Sequence, residues 1–522
     1  TLDKQKGSLT LLPFFGGEKS DTGNCADSTV IGTHFYLSLT MFKKARCLEQ
    51  YGSYKQALSL YEIVLSNRRE YHKLQNSMLE RKSDRHDNAE AISNDNLLDT
   101  MEIEFVRTHI SSVLVRLGRI QEGQELGLEA HKTLLLLAGR KQQCSEPKHL
   151  YIAESLLVLG RIMSIKGIWT DADELLSKAC RMKEDILGFG HPDIAIILRH
   201  MSINMLGPGY YNQAKEFCNQ SIQIIASKFA KNASPMSFCI YNKGLILRDI
   251  GQVADAAAHF HNALTYARHF FTDESPHYAL AQLALGDCQR LQFQLDDATQ
   301  SIKTAIATLN DHFGKDHVCT IEAIRNLSLL QTDQGNYEDA VSLLQDHCYP
   351  ALSKSIGEKS PSAVYTRALI GLNYKRSYEK YVRDHNGDAD QQELKMLEMG
   401  ENFIDDALDF FDTFLKGPLD TEHPWVRVLG GFIVDSTSRA STARSELMLR
   451  RESMSNTNAD DAMSRVFSRP TTQQSEYNLL EIELSKTLPS RPTTTQTARE
   501  LLLTEAEILT SRPNTRSEEK KI

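Results

Sequence analysis

Apolar and small residues along the middle of the chain follow helical spacing, interrupted at a constant interval by a turn. The marker of that interval is a small residue: Ala172, Ala214, Ala256, Ala298 and Ala340 stand 42 residues apart. A fixed period of this size means stacked units, none of which can bury its apolar face alone. Five residues before each alanine a turn begins: Gly167-Ile168-Trp169, Gly209-Tyr210-Tyr211, Gly251-Gln252-Val253, Phe293-Gln294-Leu295 and Gly335-Asn336-Tyr337. Glycine tolerates the positive φ that ends a helix. Each unit therefore reads as helix A, tight turn, helix B, and Phe293 predicts a different turn conformation in the fourth copy. A second punctuation, His191-Pro192, Ser234-Pro235, Ser275-Pro276, Ser360-Pro361 and His423-Pro424, predicts where first helices start. Proline fits a first helical turn, and the residue before it can cap. The fold class this predicts is all-α, an α-solenoid of helix-turn-helix repeats.

The regular copies span about 149–345, within a solenoid expected over 34–450. A first copy carries Tyr51-Gly52-Ser53-Tyr54 and Ala57, and a weaker second has Gly118, Gly123 and Ala130 in corresponding places. A charged insertion at about 68–98 is expected to lengthen a helix and then loop out. After Gln345 the register loosens, with helical stretches predicted near 361–384, 391–415 and 424–450. Residues 1–33 read as a flexible leader. From about 451 to 522 the chain turns to Ser, Thr, Arg and Pro, and the phrase Ser-Arg-Pro recurs at Ser468, Ser490 and Ser511. Apolar-acidic segments, Tyr477–Leu488 and Ala498–Leu509, lie between these phrases and suit short partner-dependent helices. Thr472, Thr494 and Thr515 each follow an arginine by three residues, an arrangement expected to attract basophilic kinases.

Sorting each first helix by i, i+4, i+7 spacing yields two stripes. The first has a small residue in the middle, Gly160, Ser202, Gly244, Gly286 and Ser328, where the second helix should approach closely. The second should line the concave face. It reads Leu157/Arg161/Ser164, Arg199/Ile203/Leu206, Tyr241/Leu245/Arg248, Leu283/Asp287/Arg290 and Arg325/Leu329/Thr332. Each copy contributes one arginine and an apolar residue. Guanidinium forks suit carboxylates and the apolar floor suits a hydrophobic anchor, so an extended acidic-apolar peptide is the expected ligand. Arg248 and Arg290, in the middle of the array, are expected to matter most.

The spacing Leu159-Gly160, Gly167-x-Trp169-x-x-Ala172 and Ala179 resembles the tetratricopeptide repeat (TPR). The longer period, the loop Leu187-Gly188-Phe189-Gly190-His191-Pro192 and Arg325-Asn326-Leu327-Ser328 are similar to its kinesin-light-chain type. That resemblance implies a peptide-binding concave face on which asparagines hold the peptide backbone, a role that transfers to Asn242 and Asn326. His200 and Ala284 occupy the same place and depart from it. The family's heptad coiled coil is not visible in the first 33 residues.

Composition narrows this further. Formal net charge is −9 and no basic excess suggests a nucleic-acid partner. Nine cysteines form no C-x-x-C pair; Cys180, Cys218, Cys239 and Cys288 lie in helical stretches, as buried small residues do. No apolar run reaches membrane-spanning length. Gly16-Gly17-Glu18-Lys19-Ser20 breaks the phosphate-loop pattern, and no zinc-protease or serine-hydrolase motif occurs. The expectation is a cytoplasmic, non-enzymatic adaptor without cofactor or metal. Its peptide contacts would be Arg161, Arg199, His200, Tyr241, Asn242, Arg248, Arg290, Arg325 and Asn326. Two alternatives stay open: a sensor module of a nucleotide-binding switch protein, and a structural subunit of a cytoskeletal or ciliary assembly.

Overall fold

The computed structural model describes residues 26–83, 89–139, 146–229, 234–385, 391–414 and 423–430. The chain divides into two units, Thr1–Thr437 and Ser438–Ile522, and every described residue lies in the first. The recurring tail phrase, the phosphate-loop-like stretch and the end of the last expected helix lie outside the described residues.

Every described element is a helix. They pack in consecutive pairs: α1 (Ala26–Tyr51) with α2 (Tyr54–Ser83), α3 (Ala89–Arg116) with α4 (Ile120–Gly139), α5 (Glu146–Lys166) with α6 (Trp169–Leu187). Then come α7 (Pro192–Leu206) with α8 (Tyr211–Lys228), α9 (Ser234–Ile250) with α10 (Val253–Phe270), and α11 (Pro276–Leu291) with α12 (Leu295–Phe313). The seventh first helix is α13 (Val318–Asp333). Its partner α14 (Tyr337–Ser342) runs through a π-helical turn, Leu343–Cys348, into α15 (Tyr349–Ser355). The last elements are α16 (Pro361–Asp384), α17 (Gln391–Phe414) and α18 (Pro424–Gly430). This is a TPR-like α-solenoid. It starts earlier than expected, at Ala26 rather than near His34, and the charged insertion is largely helix, since α2 reaches Ser83 and α3 begins at Ala89.

The repeat is built on one turn and one close contact. Gly52, Gly118, Gly167, Gly209, Gly251, Phe293 and Gly335 all have positive φ, from +62° at Phe293 to +94° at Gly251. The N–H of the next residue returns to the carbonyl five back, as in Ser53 to Leu48, Ile168 to Met163 and Gln294 to Gln289, each 2.9 Å. That is the wrap-around bond that satisfies a helix end. The fourth copy therefore uses the same turn as its neighbours, contrary to expectation, and Phe293 bears the left-handed strain while 84% exposed. Ala57, Ala172, Ala214, Ala256, Ala298 and Ala340 are completely buried between helices. Opposite them a Cβ on Gly244 would lie 2.6 Å from the Phe260 ring, so the two helices meet where the small stripe predicted. The loosened register after Gln345 is the π turn, where Tyr349 N donates to Leu344 O, one residue ahead of Pro350, which has no N–H to give.

The solenoid coils back on itself. Ser275, His317 and Ser360 cap α11, α13 and α16 by accepting backbone N–H groups, and His423 Nδ1 does so from Trp425 N at 3.3 Å. These capping loops also meet the turns of repeats far back in the chain. His277 Nε2 donates to Gln50 O at 3.0 Å, His317 Nε2 to Arg116 O at 3.0 Å and His423 Nε2 to Gly207 O at 3.2 Å, across 227, 201 and 216 residues. A Cβ on Gly167 would lie 2.5 Å from Pro361 Cδ, the same contact without a histidine. Stacking of Tyr54 on Phe313, and of Phe313 on His317, seals the seam, with ring centroids 5.8 and 4.3 Å apart. His317 accepts a backbone N–H at Nδ1 and donates at Nε2, so only the neutral Nε2–H tautomer satisfies both bonds.

Two outcomes are expected. Phe293→Gly removes the left-handed penalty of an L-residue and should stabilise the fold by about 1 kcal/mol in chemical denaturation. Acidification should destabilise the fold in two stages. Burial and nearby cations push His131 and His277 down to about 4 from an ordinary 6.5. The unfolded chain then binds more protons in that window, so stability is complete above pH 6.5 and falls as pH drops to 4. Glu49 and Glu154, held at about 2 despite burial by His109 and Lys183 respectively, extend the loss from pH 4.5 downward. Melting temperature followed by circular dichroism should decline throughout; a flat profile between pH 6.5 and 4 would contradict the assignment.

Candidate functional site

Because the superhelical turns stack, the concave face lines a partly open axial cavity of about 990 Å³. Its lining comes mainly from first helices. Arg161, Arg199, His200, Tyr241, Asn242, Arg248, Arg325 and Asn326 all line it. Arg290 does not, being buried with 8% exposure away from the lumen.

The arginines fall into two electrostatic groups. At one end they are neutralised internally. Arg248 pairs with Asp249 at 2.8 Å and Asp287 at 3.3 Å; Arg290 pairs with Asp287 at 2.9 Å and Asp333 at 2.7 Å. Arg376 reaches Asp333 at 4.0 Å, so the ladder runs from α9 through α11 and α13 to α16. Arg325 donates to Ser362 Oγ at 2.8 Å and stands over the Tyr365 ring at 5.4 Å. These arginines tie successive repeats together. The expectation that Arg248 and Arg290 carry a ligand's charge meets a competing fact: their hydrogen-bonding capacity goes to carboxylates of this chain.

At the other end, Arg161 and Arg199 have no carboxylate within ion-pair distance among the described residues. Arg161 Nη1 donates to Ser112 Oγ at 3.1 Å, and Arg199 Nη2 donates to His200 Nε2 at 3.3 Å. The Arg199 guanidinium also lies over the Phe238 ring at 5.0 Å. Burial, with repulsion from Arg116 and from each other, pushes Arg161 down to about 9; burial and Arg116 bring Arg199 to about 10. Burial and the three arginines hold His200 neutral, well below its ordinary value. Asn242 is buried and donates to Arg199 O at 3.3 Å, so it locks α7 to α9. Asn326 is half-buried on the lumen wall. Tyr241 packs on Phe260 with centroids 5.7 Å apart.

Sequence sorting missed Arg46, Glu49, Ser112, Arg116, Phe238 and Asp249, which also line the cavity. Counting back from Gly52 and Gly118 by the offset that gives Arg161 from Gly167 yields Arg46 and Ser112, so that signal was present in the weak copies. Asp249, Asp333 and Arg116 share a different register, two residues before the turn, outside the stripe. Five cysteines, Cys180, Cys218, Cys288, Cys319 and Cys348, are pushed up to about 12 by burial, which leaves them unreactive thiols. Among the described residues no cluster could hold a metal ion, and no helix is long and apolar enough to cross a membrane.

The two arginine groups should respond oppositely to truncation. Arg290→Ala leaves Asp287 with Arg248 alone and Asp333 with only the 4.0 Å contact to Arg376, and should cost up to about 3 kcal/mol in urea denaturation, the low end of breaking a buried pair. Arg161→Ala and Arg199→Ala relieve mutual repulsion and should leave stability unchanged or slightly raised, the pattern of residues kept for binding rather than folding.

No family model matches the chain, and no curated protein matches it. Solved structures similar to it are helical repeat proteins. The kinesin light chain nearly identical TPR-like repeats from Podosopora anserina are 15% identical, covering 41% of this chain and 96% of that one, with a TM-score of 0.31. A Rap protein complexed with Competence and Sporulation Factor is 14% identical, over 73% of this chain and 99% of that one, with a TM-score of 0.45. NprR in complex with its cognate peptide NprX is 14% identical over 74% and 99%, with a TM-score of 0.43. What the chain shares with these proteins is the manner of stacking helix pairs.

Proposed function

We propose that the protein is a non-enzymatic binding module that holds an extended acidic-apolar segment of a partner protein inside its axial cavity. The observation that carries this reading is the pair Arg161 and Arg199, with no carboxylate at ion-pair distance among the described residues, beside Leu157, Ile203, Phe238, Tyr241 and Leu245 on the same wall. Two half-buried guanidiniums with no acid at ion-pair distance favour a ligand that brings an anion. A concave lumen of this volume admits an extended chain more readily than a folded surface. Arg248, Arg325 and Asn326 then act as shape and hydrogen-bonding wall, while Arg290 supports them from behind. That one of the similar structures is a complex with a cognate peptide is in keeping with this reading and adds no detail to it.

The test is display of random peptides against the full chain, followed by fluorescence polarisation of the recovered sequences. Recovered peptides should combine Asp or Glu with Leu, Ile or Phe. Arg199→Ala should weaken them by 2 kcal/mol or more, the order of a desolvated charge contact (~2–5 kcal/mol). Asn326→Ala should weaken them less and leave the salt dependence unchanged. Added salt should reduce affinity incompletely, because the apolar wall is not screened. Recovery of basic or purely apolar peptides, indifferent to both arginines, would sink the reading.

A further inference from the structure

A third arginine, likewise with no carboxylate at ion-pair distance among the described residues, joins this pair. Arg116, from the end of α3, lines the same lumen and lowers the proton affinity of Arg161, Arg199, His200 and His277. Its Nη1 donates to the Tyr54 hydroxyl at 3.2 Å, while its Nε is buried without a hydrogen-bond acceptor among the described residues. One carboxylate faces this trio, Glu49. It is engaged by Ser112 Oγ at 2.8 Å, by the Tyr61 hydroxyl at 3.1 Å and by His109 Nδ1 at 3.7 Å. Glu154, the next acid along the wall, is held by Lys183 Nζ at 2.6 Å and lies within the field of Arg46, while Asp193 reaches Lys183 at 3.7 Å. That second set balances itself.

Three guanidiniums against one carboxylate leave two positive charges on this stretch of the lumen wall. A single carboxylate would neutralise half of that excess; a phosphoryl ester, with its charge near −2 and three acceptor oxygens, neutralises it and can take N–H donors from several forks together. His200 adds a further donor, because its Nε2 accepts from Arg199 and the proton of the neutral ring then resides on Nδ1. The carrier of the anion would meet Phe238, Leu157 and Tyr241, which line the cavity beside the cluster.

We propose that Arg116, Arg161 and Arg199 form a binding site for a phosphoryl dianion carried on an apolar or aromatic group, such as a phosphorylated residue of the threaded segment. This rests on the lumen being a ligand site, as above, and adds what its charged end selects.

Calorimetric titration of the full chain with phenyl phosphate and phenylacetate separates the two claims. Phenyl phosphate should bind at pH 7.5 at least tenfold more tightly than phenylacetate. Its affinity should fall as pH is lowered through about 6, where the phosphoryl group takes up a proton. Arg161→Gln and Arg199→Gln should each cost at least tenfold, with unchanged melting curves as the control for folding. Inorganic phosphate should bind more weakly than phenyl phosphate, because it lacks the apolar carrier. Equal binding of the two phenyl compounds, or binding indifferent to both glutamine variants, overturns the dianion site. If neither probe binds while displayed acidic-apolar peptides do, the dianion site fails and the peptide lumen stands. If displayed peptides also ignore the arginines, both fail.

Discussion

The contact on which everything else depends joins residues about two hundred positions apart. The positive-φ turn of an early repeat presents a carbonyl and an open face where a side chain would otherwise stand. The capping loop of a late repeat fills that space with a proline or histidine ring. Local chemistry made both halves: the turn ends one helix and the cap starts another. Their meeting converts an open solenoid into a coil whose successive turns touch. Because a histidine does both jobs at His317 and His423, one side chain ties helix initiation to closure of the coil.

Closure gives the concave face its character. On an open solenoid a lumen arginine would be a hydrated surface charge, and one per repeat would mean little. Inside the coil each arginine loses part of its water and gains from a partner. The chain provides one for Arg248, Arg290 and Arg325 in aspartates, a serine and a tyrosine ring from the same and the next repeat. For Arg116, Arg161 and Arg199 the neighbours are a tyrosine, a serine and a neutral histidine. Such neutral partners satisfy donors without cancelling charge. The lumen is thus a cross-linked wall at one end and an electropositive port at the other.

The repeat itself was legible because it is a local matter. A fixed spacing of small residues, glycine turns and proline starts each has a short-range cause, and the helices of the regular copies fall where those causes put them. Four features were not legible. Phe293 adopts the glycine conformation because two packed helices impose the turn and outweigh one residue's preference. The π turn before Pro350 follows from a proline placed too deep in a helix to be read as a start. The third concerns charge: a stripe taken at three positions per helix records the arginines, yet Asp249 and Asp333 lie outside it, in the last turn of helix A. Which arginines are quenched is a property of adjacent repeats taken together. Coiling back is longer in range still, since nothing within 42 residues tells His317 that Arg116 will be its neighbour.

Arg116 belongs to both halves of this account. Its carbonyl accepts the His317 bond that holds two superhelical turns together, and its side chain supplies one of the three unpaired charges in the lumen. The backbone that sets the pitch of the coil is therefore the backbone that places the charge. Arg116 lowers the proton affinity of Arg161 and Arg199, while the stacked rings of Tyr54, Phe313 and His317 hold the turns together on the same lumen wall. One residue therefore joins the contact that closes the coil to the charge that the closed coil encircles.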